Sequence, residues 1–319
     1  MRRLEARFVS SLTTMHQTRR ILLIADAELR RSADYEAAAW LAQKTGAALH
    51  IVAFDFNQLI ASMQRVDASA MALARDAYLR QHREWLAQEA SVLRSRGIDV
   101  TYEVNWEPHP RDEILMHVKE SGADLVIKAA HADPLVRRLL FSPLDLQLMH
   151  RTPVPLILVN GNVHPVPRRV IVAVDTGLAL PDVQAHNDTI IRTALALALQ
   201  CDIELHLATA FDAAPQLALT ASSTLPMVDG ALYQQLYDAS EAAFTALADA
   251  HGVPAERRHF LLGNPALTIA GLAIERANDI IVVGASQGTR VERLFVGSTA
   301  ERILSYAPCN VMVVPQRNA

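Results

Sequence analysis

Apolar residues along this chain fall into two kinds of run. Short unbroken apolar blocks, several closing on an acid or an asparagine, alternate with longer stretches whose apolar positions recur at helical spacing. The first half holds ILLIAD (residues 21–26), ALHIVAF (48–54), DVTYEVNW (99–106), DLVIKAA (124–130) and PLILVN (155–160). The second holds VIVAVD (170–175), IELHLATAF (203–211), RHFLLGN (258–264), IIVVGA (280–285) and NVMVVP (310–315). Blocks of this kind are the pattern of parallel strands buried on both faces. Between them, residues 32–45, 68–96 and 111–121 read as helices closed by Gly46, Gly97 and Gly122, and residues 231–251, closed by Gly252, and 266–276 read the same way. Strands alternating with helices of this length predict an α/β protein, with parallel sheets, helices on both faces and right-handed crossovers.

The chain states this pattern twice. DLVIKAAHADPLVRRLLFSPLDLQLMHRTPVPLILV, residues 124–159, aligns without a gap on DIIVVGASQGTRVERLFVGSTAERILSYAPCNVMVV, residues 279–314. Ala129 then corresponds to Gly284, Ala132 to Gln287, Ser142 to Gly297 and Pro143 to Ser298. An internal repeat of this kind dictates the architecture. The segment GNVHPVPRR, with two prolines and no periodicity, reads as a linker. The expected organisation is an N-terminal extension over 1–19, a first domain over 20–160, the linker over 161–169 and a second domain over 170–319.

Composition narrows the class. At 319 residues the chain has room for two cores. A net charge of −4 without a long basic run gives no footprint for nucleic acid. Cys201 and Cys309 are too far apart in sequence to form a C-x-x-C pair and read as buried free thiols of a reducing compartment. No run approaches the ~20 apolar residues of a membrane span. The apolar pair Phe8 and Val9 is broken at once by Ser10 and Ser11, so no export signal is expected, and residues 1–14 read as a disordered extension or an over-long start before Met15. The expected location is cytoplasmic.

In open parallel sheets ligands bind beyond the carboxyl ends of the strands, where the strand order reverses. That directs attention to Asp26 and Asp175 after the first strand of each repeat, and to the loops after the fourth. Gly284 can let a ligand approach the backbone. Gly297, Ser298 and Thr299 stand where a helix begins, and exposed N–H groups with the helix dipole attract anions there. The same glycines also permit tight turns, and Ser298 can act as an N-cap. In the first repeat Ala129, Ala132, Ser142 and Pro143 occupy the matching positions, and Pro143 has no N–H to donate. Ser142 can still cap its helix.

GASQGTRVERLFVGSTAERILSYAPCNVMVV resembles the C-terminal signature of the universal stress protein family, with Gly284, Gln287, Gly297 and Ser298 in its frame and Gly288 one residue beyond the place of its second glycine. The whole of residues 20–315 resembles the tandem, E-type branch, whose first domain is poor in loop glycines. The resemblance implies two open five-stranded parallel sheets of strand order 3-2-1-4-5, packed as a pseudo-dimer through their fifth strands. It implies a stress-response protein that binds or senses ATP or another adenine nucleotide through the second domain, without catalysis. By it Asp175 meets the ribose or adenine, Leu207 lies near the adenine, and Ser298 and Thr299 hold the phosphates, with Arg290 or Arg293 adding charge. It carries no requirement for a metal, and it leaves open a protein partner and a single-chain or homodimeric state.

Some residues belong to no such pattern. Of the 30 Lys and Arg residues only Lys44, Lys119 and Lys128 are lysines, and Lys128 lies inside a predicted central strand opposite Val283 of the second repeat. A buried ammonium needs a partner. Asp26 on the neighbouring strand is the expected one, as a structural ion pair or as a cation for a different anionic ligand in a pocket with His131 and Ser142. His109 and His131 at strand ends read as solvated or capping residues, or as metal ligands with Asp26 or Asp133. The apolar loop over residues 217–228 reads as a cover for an edge or for an amphipathic ligand. No Walker loop GxxxxGK[ST] and no nucleophilic triad is recognisable, so the enzymatic alternative is a weak ATPase.

Overall fold

The computed structural model describes residues 17–25, 31–133, 138–140, 142–161, 166–177, 180–212, 230–274, 279–285 and 298–316. Of these, 17–132 and 142–166 form one compact unit, and 133, 138–140 and the residues from 167 onward form the other.

From Arg20 to Asn160 the chain runs β1 (Arg20–Ala25), α1 (Ala33–Thr45), β2 (Ala48–Asp55), α2 (Gln58–Ser62), a 3-10 turn (Met63–Arg65), α3 (Ala68–Ser95), β3 (Val100–Trp106), α4 (Pro110–Ser121), β4 (Leu125–Asp133), the short β5 (Arg138–Leu140), α5 (Pro143–Arg151) and β6 (Leu156–Asn160); all but Asp133 and β5 belong to the first unit. Its strands are parallel in the order β3-β2-β1-β4-β6. Ile21, Leu22 and Leu23 of β1 and Val126 and Ile127 of β4 are fully buried, as an unbroken apolar block requires. Helix α1 stops at Gly46, whose φ of 71° is open to glycine at little cost. Helix α3 starts at Asp67, whose carboxylate accepts the Ser69 and Ala70 N–H groups. It buries Leu79, His82, Leu86, Ala90 and Leu93, one stripe at helical spacing.

The second unit repeats the order as β7 (Arg169–Ala173), α6 (Pro181–Cys201), β8 (Glu204–Phe211), α7 (Gly230–Ala250), a 3-10 turn (Ala255–Arg257), β9 (Arg258–Leu262), α8 (Pro265–Ile274), β10 (Asp279–Ala285), α9 (Ser298–Tyr306) and β11 (Asn310–Pro315). Its strands are parallel in the order β9-β8-β7-β10-β11. Each unit thus has strand order 3-2-1-4-5, and the order reverses between the first and fourth strands. Helices α2 and α6 and strand β5 are additions to the elements expected from the sequence.

One polar pair lies on the face of the second sheet. His206 of β8 and His259 of β9 place Nδ1 and Nε2 2.9 Å apart, with near-parallel rings. The contact is a hydrogen bond only while one ring stays neutral. Burial, with Arg169 beside both, pulls the two pKa values below 6.5, against the opposite pull of Glu204 on His206. Below pH ~6.5 the unfolded chain therefore binds more protons at these sites than the folded one, and stability falls as the pH drops from there toward the folded values. Urea unfolding at pH 7.5 and pH 5.5 is expected to show a weaker second unit at the lower pH. His259→Gln is expected to reduce that difference, and an unchanged difference counts against the pair.

Candidate functional site

At the carboxyl end of β7 the chain turns through Asp175, Thr176 and Gly177. The exposed Asp175 accepts the Gly177 N–H on Oδ1 at 2.8 Å, a short side-chain turn. The peptide of Asp175 is clasped from α6: its N–H donates to Asn187 Oδ1 at 3.2 Å, and Asn187 Nδ2 donates to its carbonyl at 2.6 Å. Asn187 is buried, and this clasp fixes the start of α6 over the end of β7. A second polar set ties the next elements together. Thr209 of β8 donates to the Val174 carbonyl at 3.0 Å, and Thr176 lies within hydrogen-bond reach of both Thr209 and Ser240 of α7. The carboxyl ends of β7 and β8 and the helix above them are held by side-chain hydrogen bonds, with the Asp175 carboxylate left at the surface.

Gly284, the penultimate residue of β10, borders the point where the strand order reverses. A Cβ built there would overlap Nε2 of His186 and would come 2.6 Å from Ile190 Cδ1 and 2.8 Å from His186 Cδ2. The space left by the missing side chain is filled from within the unit, by two residues one turn apart on α6. His186 Nδ1 and Nε2 are both buried, and neither has a hydrogen-bond partner among the described residues. Burial alone moves this imidazole toward its neutral form, lowering its pKa from 6.5. Leu207, expected near a base, is fully buried inside β8, paired with Val172 and Arg258.

The matching end of the first unit has a different interior. Lys128 lies in β4 between Ile24 of β1 and Leu158 of β6 and is 8% exposed. Its Nζ is 2.7 Å from Asp145 Oδ1 and donates to the Ala129 carbonyl at 3.0 Å. The contact with Asp145 is an ion pair; Oδ1 lacks the angles of a hydrogen bond. Asp145 is fully buried at the third position of α5. Its Oδ2 accepts the Ser142 N–H at 2.8 Å, while its own N–H donates to Ser142 Oγ at 3.1 Å, a reciprocal capping box. Ser142 therefore caps its helix, as expected. The observed partner of Lys128 is Asp145; Asp26 lies outside the described residues. In the repeat alignment Lys128 and Asp145 correspond to Val283 and Ala300, an apolar pair in place of a charged one.

A second buried pair in the first unit closes the end of β2. Asp55 Oδ2 meets His82 Nδ1 in a contact buried on both sides, with Tyr78 against His82 and Trp106 against Tyr78 and Phe56. Burial and then the charge of Asp55 raise the Tyr78 pKa. The sequence signal was an acid closing strand 2 and a histidine on the apolar stripe of α3. His109 takes the N-cap position of α4, where its N–H donates to Glu107 Oε1 at 2.8 Å, and His131 lies within β4. Among the described residues no three His, Cys, Asp or Glu side chains are grouped to hold a metal ion. Gln287, Gly288, Arg290, Arg293, Gly297 and the loop 217–228 lie outside the described residues; Ser298 and Thr299 open α9.

Two stability outcomes follow from these contacts. Asp145→Ala strands a buried ammonium and is expected to cost the first unit about 3–5 kcal/mol in urea unfolding. Lys128→Val with Asp145→Ala, the solution used by the second unit, is expected to recover most of that loss. Gly284→Ala is expected to cost about 1–3 kcal/mol by overpacking. A double-mutant cycle with His186→Ala is expected to relieve most of it; equal costs in both backgrounds would place the strain elsewhere.

Comparison with known proteins agrees with the duplicated fold. The model of the universal stress protein family matches residues 17–160 and again 167–315. Universal stress protein E of Escherichia coli K12 is 26% identical over 242 residues, covering 75% of this chain and 76% of that protein. The protein of the same description from Photorhabdus laumondii is 27% identical over 237 residues, covering 73% and 74%. Among solved structures, a functionally unknown protein from Pseudomonas aeruginosa PAO1 superposes with a TM-score of 0.68 at 21% identity, covering 96% of this chain and 95% of its own. A universal stress protein from Archaeoglobus fulgidus superposes with 0.65 at 16% identity, covering 95% and 100%; at these identities the likeness is one of fold. With its model matched once in each repeat, the chain belongs to the universal stress protein family.

Proposed function

We propose that this protein acts in the stress response by binding an adenine nucleotide, ATP or a relative, through its second domain. In this reading residues 20–160 form a first domain, a scaffold without nucleotide, joined by the linker 161–169 to a nucleotide-binding domain over 170–319. The contrast at one pair of positions carries the reading. In the first domain Asp145 places a carboxylate at the start of α5, paired with Lys128, so an internal anion takes the place of an external one. In the second domain those positions are Val283 and Ala300, which bring no such charge. The exposed Asp175, the bare Gly284 and the α9 start with Ser298 and Thr299 support a nucleotide there, with Gly288 and Gly297 in the connecting loop. Binding rather than turnover is proposed. Neutralisation of Lys128 by Asp145 weighs against the first domain as the site of a different anionic or amphipathic ligand.

Calorimetry with ATP is expected to give one site per chain. Gly297→Val is expected to weaken it by about tenfold or more, the loss of ~1.4 kcal/mol. Ser142→Ala is expected to leave the affinity unchanged. Two equivalent sites, or an affinity indifferent to Gly297→Val, would overturn the assignment.

A further inference from the structure

We propose that His186 is a displaceable plug on the ligand site of the second domain: its imidazole fills the notch above Gly284 in the free protein, and the nucleotide takes its place. The proposal rests on the nucleotide reading above and adds a residue to it. Three observations lead to it. The first is the notch itself. Gly284 stands at the carboxyl end of β10, beside β7, at the strand-order reversal where ligands of such sheets bind. His186 lies where a side chain on Gly284 would have to go. The first domain has Ala129 at this position, so the bare strand end that admits the ring belongs to the second domain.

The second observation is the chemistry of the ring. Several other histidines among the described residues have partners: His82 meets Asp55, His206 meets His259, His251 meets Asp188, and His117 meets Asn105 and the Glu113 carbonyl. His186 has none on either nitrogen. A neutral imidazole carries one donor and one acceptor, and leaving both buried and unmade is unfavourable. The ring fills space without hydrogen-bonding return, which makes its seat easy to vacate.

The third is the mechanical setting. The next residue, Asn187, holds α6 to the peptide of Asp175 by two hydrogen bonds, so the helix start is pinned. Vacating the notch then calls for rotation of the His186 side chain along the helix face it shares with the exposed Asp182, four residues before it. Ile190, one turn on and buried, stays as the floor. The apparent affinity for the ligand is then the intrinsic affinity reduced by the fraction of molecules in which the notch is open.

ATP calorimetry on the full chain with wild type, His186→Ala and His186→Leu tests this. Alanine empties the notch, and leucine refills it with an apolar group that has no unmet hydrogen bonds. The expected order of affinity is alanine above wild type above leucine, with the alanine variant about tenfold tighter if the notch is open about a tenth of the time. Binding by His186→Ala where wild type shows none also supports the plug. If both variants bind more weakly than wild type, His186 is a ligand contact and the plug is overturned; if all three bind alike, it is overturned while nucleotide binding stands. If ATP binds to none of them, the nucleotide reading and the plug fall together. Histidine ring NMR gives a second readout: the His186 signals are expected to move to a solvent-exposed environment when ATP is added, and signals that stay at their buried positions in a saturated complex overturn the plug.

Discussion

A parallel strand covered on both faces has apolar side chains along its length, so the residues free to carry chemistry gather at its ends and in the helices that start there. That constraint governs both halves of this molecule. Ile21 to Leu23 in β1 and Val170 to Val172 in β7 are fully buried. The polar groups that matter appear beyond them: Asp175 after β7, Thr209 near the end of β8, Asp55 closing β2. Lys128 is the exception, a cation in the sheet interior. It is tolerable because α5 begins nearby and delivers Asp145, whose charge the helix N-terminus also favours. One buried carboxylate thus satisfies an ammonium and the Ser142 N–H of the helix cap.

The two repeats differ at positions that match in the alignment. Exchanging Lys128 and Asp145 for Val283 and Ala300 alters two positions that touch in the first unit, and neither change is tolerable alone, because each intermediate has an unpaired buried charge. The outcome is one repeat with a carboxylate at its last helix start, paired with Lys128, and one in which the same positions are neutral. The Asp55–His82 pair adds to the difference: in the first unit the end of β2 is sealed by buried charge and aromatic rings, whereas Thr176, Thr209 and Ser240 line the corresponding end of the second with hydroxyls.

Much of the fold was legible because its signals were strong and local. The strands expected from apolar blocks all form, and Gly46 and Gly122 end their helices as expected, since a left-handed cap is a property of one residue. Helix α6 was obscured because residues 194–199 read ALALAL, a period of two that imitates a strand; only packing distinguishes buried Ala194, Ala196 and Leu197 from exposed Leu199. Missing that helix hid Asn187 and His186, which hold the end of β7 and fill the space beside Gly284. The partner of Lys128 was out of reach for a similar reason. Strand adjacency pointed to Asp26, but Asp145 reaches Lys128 from the start of a helix, through a contact set by how that helix packs.

The reading of Gly284 shows the limit of arguing from residue type. A glycine at a strand end permits close approach, but it does not say what approaches. In this structure the approaching group is an imidazole of the same chain, and steric need for glycine is satisfied without any ligand. Yet close packing alone would select an apolar side chain, as Ile190 illustrates beside it. A ring with two buried, unpartnered nitrogens is a poor permanent filler, because every hydrogen bond it gave up on leaving water is still missing. A notch with an unsatisfied occupant under a pinned helix start is what the proposed exchange of imidazole for ligand requires, and its position at the strand-order reversal is where ligands of such sheets bind.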